Sequence, residues 1–206
     1  MAFPDFKYPE VVQQFGLTWQ TVTDLFASVP GLAPSALLQQ SIAAGAPLAA
    51  IVNTEKARSE WMIAPLLGDF WARYRFQISL FSGCNFQADP DAELTGCCDF
   101  LIARAPQQPQ IIAPVVVICE AKKESLDDGL GQCISGMIGA QRFNQRANTP
   151  VEAVYGCLTT GGDWRFLRLA GTTLEFDMKT YKLQQADRIL GILTHIVGPP
   201  PAQAAA

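Results

Sequence analysis

One stretch of the sequence, VVVICEAKKE, constrains the fold more than any other. Val115 to Cys119 are all apolar, as in a strand that is buried inside a sheet covered by helices. The stretch then continues into Glu120, Ala121 and Lys122. Because side chains alternate between the two faces of a strand, Glu120 and Lys122 share one face at its carboxyl end. The sequence therefore predicts a central strand that brings two opposite charges to one edge of a sheet.

The spacing of apolar residues and turn signals predicts an α/β fold with a central mixed sheet flanked by helices. A first helix is N-capped by Asn53 or Thr54 and runs to about Ala64, where Pro65 kinks or ends it. The order of elements is helix, three strands, helix, two strands, helix. The first three strands are RYRFQISLFSG, which ends at Ser82-Gly83, TGCCDFLIARA, which follows the turn-like QADPDAELTG, and QIIAPVVVICEAKKE. The next helix is LDDGLGQCISGMIGAQRFNQRA. The last two strands are VEAVYGCLTTGG and DWRFLRLAG, and the closing helix is LQQADRILGILTHIVG.

With 206 residues the chain is long enough for one domain with a buried core. We expect an N-terminal extension with one or two short helices at 1–52, the main domain at 53–198 and a disordered tail at 199–206. Neither a secretory signal nor an apolar run of about 20 residues is present in the sequence. A cytoplasmic protein without membrane contact is therefore the expectation.

The charge and cysteine content exclude some functions and leave others open. A net charge of −4 argues against non-specific coating of nucleic acid, although it allows a local basic groove. Six cysteines occur without a CxxC pair, and the only histidine, His195, is remote from the adjacent Cys97 and Cys98. A disulfide framework and a zinc site are both disfavoured, so the thiols are predicted to be reduced and buried.

Asp99 provides a second charge inside an apolar segment, between Cys98 and Phe100. Burying a carboxylate there costs several kcal/mol unless a partner such as a metal ion compensates for it. If the two strands are neighbours, Asp99 and Glu120 can share one Mg²⁺ or Mn²⁺ ion. Lys122 would then lie beside an attacked phosphate, an arrangement suited to metal-assisted hydrolysis of phosphodiesters.

Two structural interpretations of these charges remain open at this point. Glu120 and Lys122 could form an exposed ion pair at a strand end, worth about 0–1 kcal/mol. Asp99 could cap a turn or a bulge.

The spacing of Asp99 and Glu120-Ala121-Lys122 resembles the signature of the PD-(D/E)XK nuclease superfamily. The resemblance covers about residues 53–170. In addition, EKARSEWMIAPLL resembles the entry helix of type I restriction-enzyme nuclease domains, in which an acid precedes Arg and then Ile-x-Pro. The spacing to Ile-x-Pro favours Glu55 as that acid. Helix geometry favours Glu60, since it shares the stripe of Ala57, Ala64 and Leu67 and is expected to point inward.

The resemblance implies a restriction-endonuclease-like core with the order α-β-β-β-α-β and a metal-dependent nuclease activity. Asp99 and Glu120 would bind Mg²⁺ or Mn²⁺, Lys122 would assist the attacking water, and Gln132 would orient the site. DNA is the first expected substrate and RNA the second, and a homodimer is compatible with the superfamily. The stretches TEKARSEWMIAPLL, ISLFSG, GLGQCI and YGCLTTGGDWRFLRL also resemble a family of small, mainly cyanobacterial proteins without an assigned function.

Two departures from the superfamily pattern are visible. Cys98 precedes Asp99 where the motif has proline, although that position often varies, and no separate DNA-binding domain is evident. The alternative hypothesis is a catalytically silent nuclease-like fold that binds nucleic acid or a protein partner.

Overall fold

The computed structural model of the chain describes residues 2–89 and 94–201. Within these ranges, eight strands form one mixed sheet in the order β1-β7-β6-β5-β4-β3-β2, with β8 paired to β6. The β1–β7 and β4–β5 pairs are parallel and the others are antiparallel. The strands are β1 Thr18–Val22, β2 Ser79–Asp89, β3 Leu94–Ala103, β4 Val115–Ala121, β5 Val154–Thr159, β6 Asp163–Ala170, β7 Thr173–Asp177 and β8 Tyr181–Lys182.

Helices cover both faces of this sheet. They are α1 Glu10–Gln14, α2 Ala36–Val52, α3 Glu55–Arg58, α4 Ala64–Ala72, α5 Leu130–Arg146 and α6 Ala186–Val197. One apolar core includes buried residues of α2, α4 and α6, and the other includes α5 and the N-terminal Phe3, Phe6 and Val11. The α/β fold class with a mixed sheet flanked by helices is therefore confirmed.

Strand β4 lies near the middle of the sheet, and all seven of its residues are buried. Cys119 and Ala121 belong to the core beneath α2, α4 and α6, whereas Ile118 belongs to the core beneath α5. This two-sided burial explains why its sequence is continuously apolar up to Glu120. The predicted order from the helix at Glu55 to the fifth strand is also observed, namely α-β-β-β-α-β.

The prediction that the first strand closes at Ser82-Gly83 is wrong, because β2 continues to Asp89. Gly83 has a φ of +59°, a left-handed conformation that glycine adopts without a steric penalty. Pairing with β3 resumes at Cys84, so the chain passes through Gly83 without leaving the sheet. Residues 90–93, within the predicted turn, lie outside the described residues.

Pro65 was expected to kink or end the first helix, and of these two the end is wrong, since helical structure continues to Ala72. The segment Ser59–Ile63 is a π turn, in which the N–H of Ala64 bonds to the carbonyl of Ser59. A proline ring normally clashes with the carbonyl four residues earlier, and the wider turn immediately before Pro65 relieves that clash. Thr54 is the N-cap of this helix, its hydroxyl accepting the N–H of Ala57 at 3.1 Å.

The N-terminal segment was predicted to contain only one or two short helices, but it also contributes a strand to the sheet and contains a long helix. It contains β1, which pairs with β7 in parallel, and the 17-residue α2. None of β1, β7 and β8 was predicted. Residues 199–201 have no regular secondary structure, and 202–206 of the predicted tail lie outside the described residues.

All six cysteines are free, as predicted, and four of them are buried. Burial was the wrong expectation for Cys97, which is exposed, and for Cys84, which is partly exposed. In the described part of the chain, no helix has the length and apolar character needed to span a membrane.

Candidate active site

The pairing of β3 with β4 brings the two predicted carboxylates together. Phe100 pairs with Cys119 in an antiparallel register, so the next step along both strands places Asp99 opposite Glu120. Side chains that face each other in this way have Cβ atoms about 5 Å apart. Asp99 and Glu120, 21 residues apart in the sequence, therefore meet on neighbouring strands, as predicted.

Asp99 also links the two strands directly. Its Oδ2 accepts a hydrogen bond from the N–H of Ala121 at 2.8 Å. The carboxylate therefore binds across the sheet and does not cap a turn. This bond fixes Asp99 relative to the backbone that carries Glu120 and Lys122.

Glu120 is the most unusual polar residue of the site. Its side chain is 1% exposed, and neither carboxylate oxygen has a hydrogen-bond partner. Burial raises the pKa of Glu120 well above its usual range, and the charge of Asp99 raises it further, whereas the charge of Lys122 lowers it. A hydrogen bond that the protonated Glu120 makes to Asp99 also contributes to the raised pKa. The alternative of a solvent-exposed ion pair at the strand end is therefore wrong, because a buried carboxylate carries a desolvation cost that an exposed one does not.

Lys122 lies next to Glu120 and is held in place by Gln132. Its Nζ is 3.9 Å from Oε2 of Glu120 and donates to Oε1 of Gln132 at 3.1 Å. In turn, Nε2 of Gln132 donates to the carbonyl of Cys97 at 3.3 Å. The four side chains predicted on the sheet and on α5 thus belong to one contiguous cluster, with Gln132 bridging β3 and Lys122.

A cavity of about 320 Å³ opens beside this cluster. The lining residues come from the first helix, β2, β3 and β4: Glu55, Lys56, Ser59, Glu60, Ser82, Gly83, Asp99 and Ala121. Both candidate helix acids therefore face the same cavity as Asp99. The cavity separates the helix from the sheet edge where the carboxylates meet.

The two helix acids differ in their surroundings. Glu60 is 52% exposed and pairs with Lys56 at 2.6 Å, so the prediction that it points inward is wrong. The physical reason is the π turn, which contains Glu60 and breaks the 100° spacing that defined its stripe with Ala64 and Leu67. Glu55 is exposed as well, yet its charge contributes to the raised pKa of Glu120.

Arg58 was not among the predicted site residues, although it fixes the helix that carries both acids. Its Nη1 donates to the carbonyl of Thr160 at 3.0 Å, and its Nη2 donates to Oδ1 of Asn53 at 3.2 Å. The first bond joins α3 to the turn after β5, and the N–H of Lys122 binds the neighbouring Thr159 carbonyl at 2.9 Å. No local sequence signal identifies a contact that spans 102 residues.

The donor set suits a hard divalent cation. Asp99 and Glu120 offer carboxylate oxygens, and those of Glu120 are buried without any other partner. No group of three or more His, Cys, Asp or Glu side chains in the described ranges has an arrangement that could hold a metal ion. Two carboxylates nevertheless fit Mg²⁺, which is commonly held by one or two protein carboxylates together with water and substrate phosphates.

No family model, curated protein or solved structure matches the chain.

Proposed function

We propose that the chain is a metal-dependent nuclease of the PD-(D/E)XK type that hydrolyses phosphodiester bonds of DNA, with RNA as the second substrate. The observation that carries the proposal is the state of Glu120, a buried carboxylate with two unpartnered oxygens beside Asp99 and Lys122. A carboxylate without partners is costly to bury, and a cation bound there would offset that cost.

Each residue of the cluster has a distinct task in this proposal. Asp99 and Glu120 would hold Mg²⁺ or Mn²⁺, which stabilises negative charge on a phosphate and lowers the pKa of a bound water. Lys122 places an ammonium group beside the same position, where it stabilises the charge that develops on the phosphate and orients the attacking water. Gln132 keeps Lys122 in place through its Oε1.

The helix acids complete the cavity on the side opposite the sheet. Glu55 is the favoured acid, because its charge contributes to the raised pKa of Glu120, whereas Glu60 is paired with Lys56. The restriction-endonuclease-like core is part of the same proposal, supported by the order α-β-β-β-α-β and by the position of the carboxylates on neighbouring strands.

The test is cleavage of supercoiled plasmid DNA and of a structured RNA with Mg²⁺, with Mn²⁺ and with EDTA. We expect divalent-dependent cleavage by the wild type and a loss of about a hundredfold or more in Lys122→Ala. Lys123→Ala is the matched control, because Lys123 is the next residue, is 44% exposed and pairs only with Glu124 among the described carboxylates. Absence of cleavage of both nucleic acids with either metal would overturn the nuclease proposal.

One observation favours a second candidate, a silent nuclease-like fold that binds nucleic acid or a protein. Within the described residues, three metal-ligating side chains do not converge at the site. Calorimetry with Mn²⁺ separates the candidates: the nuclease proposal expects binding that is lost in Asp99→Asn, a variant that keeps an acceptor for the Ala121 N–H. A silent fold would give no Mn²⁺ binding in either protein.

A further inference from the structure

A second cavity lies at the other end of β4 and β5 from the candidate active site. Its volume is about 740 Å³, and it is lined by the segments around Arg104, Pro114 and Glu152 and by α6. Pro114 immediately precedes β4 and Glu120 lies near the end of that strand, so about 20 Å separates the two cavities along the strand. A volume of about 300–1,000 Å³ is typical of small-molecule sites.

The cavity opens where β4 and β5 are not yet paired. Their pairing begins at Tyr155 of β5, because Asn144 of α5 occupies both backbone groups of Val115. Oδ1 of Asn144 accepts the N–H of Val115 and its Nδ2 donates to the carbonyl, both at 2.7 Å. Val151 and Ala153 line the cavity, and within the described chain their N–H groups make no hydrogen bond. These backbone donors are therefore available to a ligand.

The charge of the cavity favours an anion. Arg104 is exposed, and its guanidinium has no ion pair with any described carboxylate. Glu152 is the one acid among the described residues of the lining, and its Oε1 is already bound to Nη2 of Arg168 at 2.7 Å. A guanidinium presents parallel N–H donors whose spacing matches the oxygens of a phosphate or a carboxylate.

Two rings form apolar walls of the same cavity. Tyr155 lies on β5 and His195 on α6, and their ring centroids are 6.2 and 6.0 Å from that of Phe26. Because Phe26 is buried, it holds both rings in place from the core side. His195 is exposed, so its ring can contact a ligand. Flat aromatic groups such as nucleobases bind well against rings of this kind.

We propose that this cavity binds a nucleoside monophosphate. Its phosphate binds Arg104, its base lies against Tyr155 and His195, and its sugar hydroxyls donate to Glu152, as acidic side chains bind ribose in dinucleotide sites. Inorganic phosphate would leave the rings without a contact, and an uncharged aromatic compound would leave Arg104 without a counter-ion. A polynucleotide is disfavoured, because Arg104 is the one Lys or Arg among the described residues of the lining.

The proposal is independent of the nuclease proposal, and the test keeps the two sites apart. The untagged full chain is titrated with AMP, adenosine, inorganic phosphate and benzoate by calorimetry in EDTA, so that no metal ion brings phosphate to the candidate active site. We expect a dissociation constant of about 10–100 µM for AMP, which is ordinary for a ligand of this size. The other three compounds should bind at least about tenfold more weakly, because each lacks the base or the phosphate.

Substitutions assign the binding to the cavity. Arg104→Gln should weaken AMP binding at least about tenfold, and His195→Ala about fivefold or more. The matched control is Arg75→Gln, which removes the same charge from an exposed residue outside the lining and should leave the dissociation constant unchanged. Circular dichroism should show that all three variants are folded, because each substituted side chain is exposed.

His195 also provides a direct spectroscopic probe, because it is the only histidine of the chain. The imidazole C–H signals of the untagged protein belong to this residue alone in an NMR spectrum. AMP should shift them with the same dissociation constant as calorimetry gives. Lys122→Ala, at the candidate active site, should leave both measurements unchanged.

Five outcomes would overturn the proposal. These are no binding of AMP at up to about 5 mM, equal affinity for AMP and adenosine or for AMP and benzoate, AMP affinity that Arg104→Gln and His195→Ala leave unchanged, equal weakening by Arg75→Gln, and loss of binding in Lys122→Ala alone, which would place the nucleotide at the active site. Tighter binding of decathymidylate than of AMP would also overturn it and assign the cavity to a polynucleotide.

Discussion

Glu120 and Asp177 are both fully buried carboxylates, but only Asp177 accepts hydrogen bonds from neighbouring donors. Asp177, at the end of β7, accepts the N–H of Lys179 at 2.9 Å and the hydroxyl of Tyr181 at 3.4 Å. The Tyr181 hydroxyl also reaches Asp24 at 3.0 Å. Glu120 has no hydrogen-bond donor on either oxygen. Burial is the largest cause of a raised pKa in both residues.

The two carboxylates are therefore expected to have opposite effects on stability: Asp177 stabilises the folded state, and Glu120 lowers its stability. Asp177 connects the end of β7 to the segment after it, and its hydrogen bonds offset part of the free-energy cost of burying its charge. The charges that act on Glu120 are those of Lys122, whose Nζ lies at 3.9 Å, and of two further acids, Asp99 and Glu55. A residue that lowers stability in this way is expected where a ligand supplies the missing partner, and substitutions at the two positions can test that contrast.

The largest expected difference is in cleavage of DNA. Glu120→Gln keeps the size of the side chain but removes the charge that would hold a cation, so we expect Mg²⁺-dependent cleavage to fall about a thousandfold. Asp177→Asn, the matched change at the satisfied carboxylate, should keep cleavage within about threefold of the wild type at a temperature where it is folded. Equal losses of cleavage in both variants would contradict the proposal that Glu120, and not Asp177, binds the cation.

The second difference is in the free energy of unfolding, measured by urea denaturation at pH 8 without metal. Asp177→Ala leaves the Lys179 N–H without its acceptor, and we expect a loss of about 2–3 kcal/mol. Glu120→Gln should gain about 1–2 kcal/mol, since a buried amide costs less than a buried charge. A loss of stability in Glu120→Gln would mean that the carboxylate has a stabilising partner in the folded protein.

The third difference is in the pH dependence of stability. The pKa of Glu120 in the folded protein lies above its unfolded value of about 4.3, so the folded state keeps its proton longer as the pH rises. Metal-free wild type should therefore lose stability relative to Glu120→Gln from about pH 4 up to the folded pKa, by at most about 1.4 kcal/mol per pH unit.

Metal should reverse that trend, because a cation competes with the proton for the same oxygens and binds more tightly as the pH rises. The measurement is the urea midpoint of both proteins across pH 4–9, with Mn²⁺ and with EDTA. Parallel curves for the wild type and Glu120→Gln in EDTA would contradict the raised pKa.

The smallest expected effects concern the rim of the cavity. Glu55→Gln should reduce cleavage about tenfold, because its charge reaches Glu120. Glu60→Gln breaks only an exposed pair with Lys56 and should change the free energy of unfolding by less than about 0.5 kcal/mol, with cleavage nearly unchanged. The reverse ranking would assign the helix acid to Glu60.

Much of the site could be predicted because its signals are local. The continuous apolar run identified β4, and strand alternation placed Glu120 and Lys122 on one face before any neighbour was known. The meeting of Asp99 with Glu120 followed from one assumption, that consecutive strands are neighbours, and β3 and β4 do pair. The complete burial of Glu120 depends on the packing of α5 and β5 and could not be predicted from its own segment.

The missed features depend on distant partners or on departures from regular geometry. β1 lies in a segment rich in Pro, Ala and Gln, and its strand conformation is stabilised by parallel pairing with β7, about 155 residues away. The wrong orientation of Glu60 came from applying regular helix spacing across a π turn. The role of Asp177 was missed because its donors, the N–H of Lys179 and the hydroxyl of Tyr181, come from the turn after β7 and from β8, and β8 was not predicted.

The π turn at Ser59–Ile63 is equivalent to one residue inserted into an otherwise regular helix. Removing a single residue there would give a regular helix, and the segment before it would rotate by about 100° relative to α4. Glu55 would then be carried away from the cavity, and Arg58 from the carbonyl of Thr160, while Asp99 and Glu120 stayed in the sheet. The length of this helix thus sets the alignment of its acid with the carboxylates of the sheet, so a single-codon deletion here would alter the site more than most substitutions on its surface.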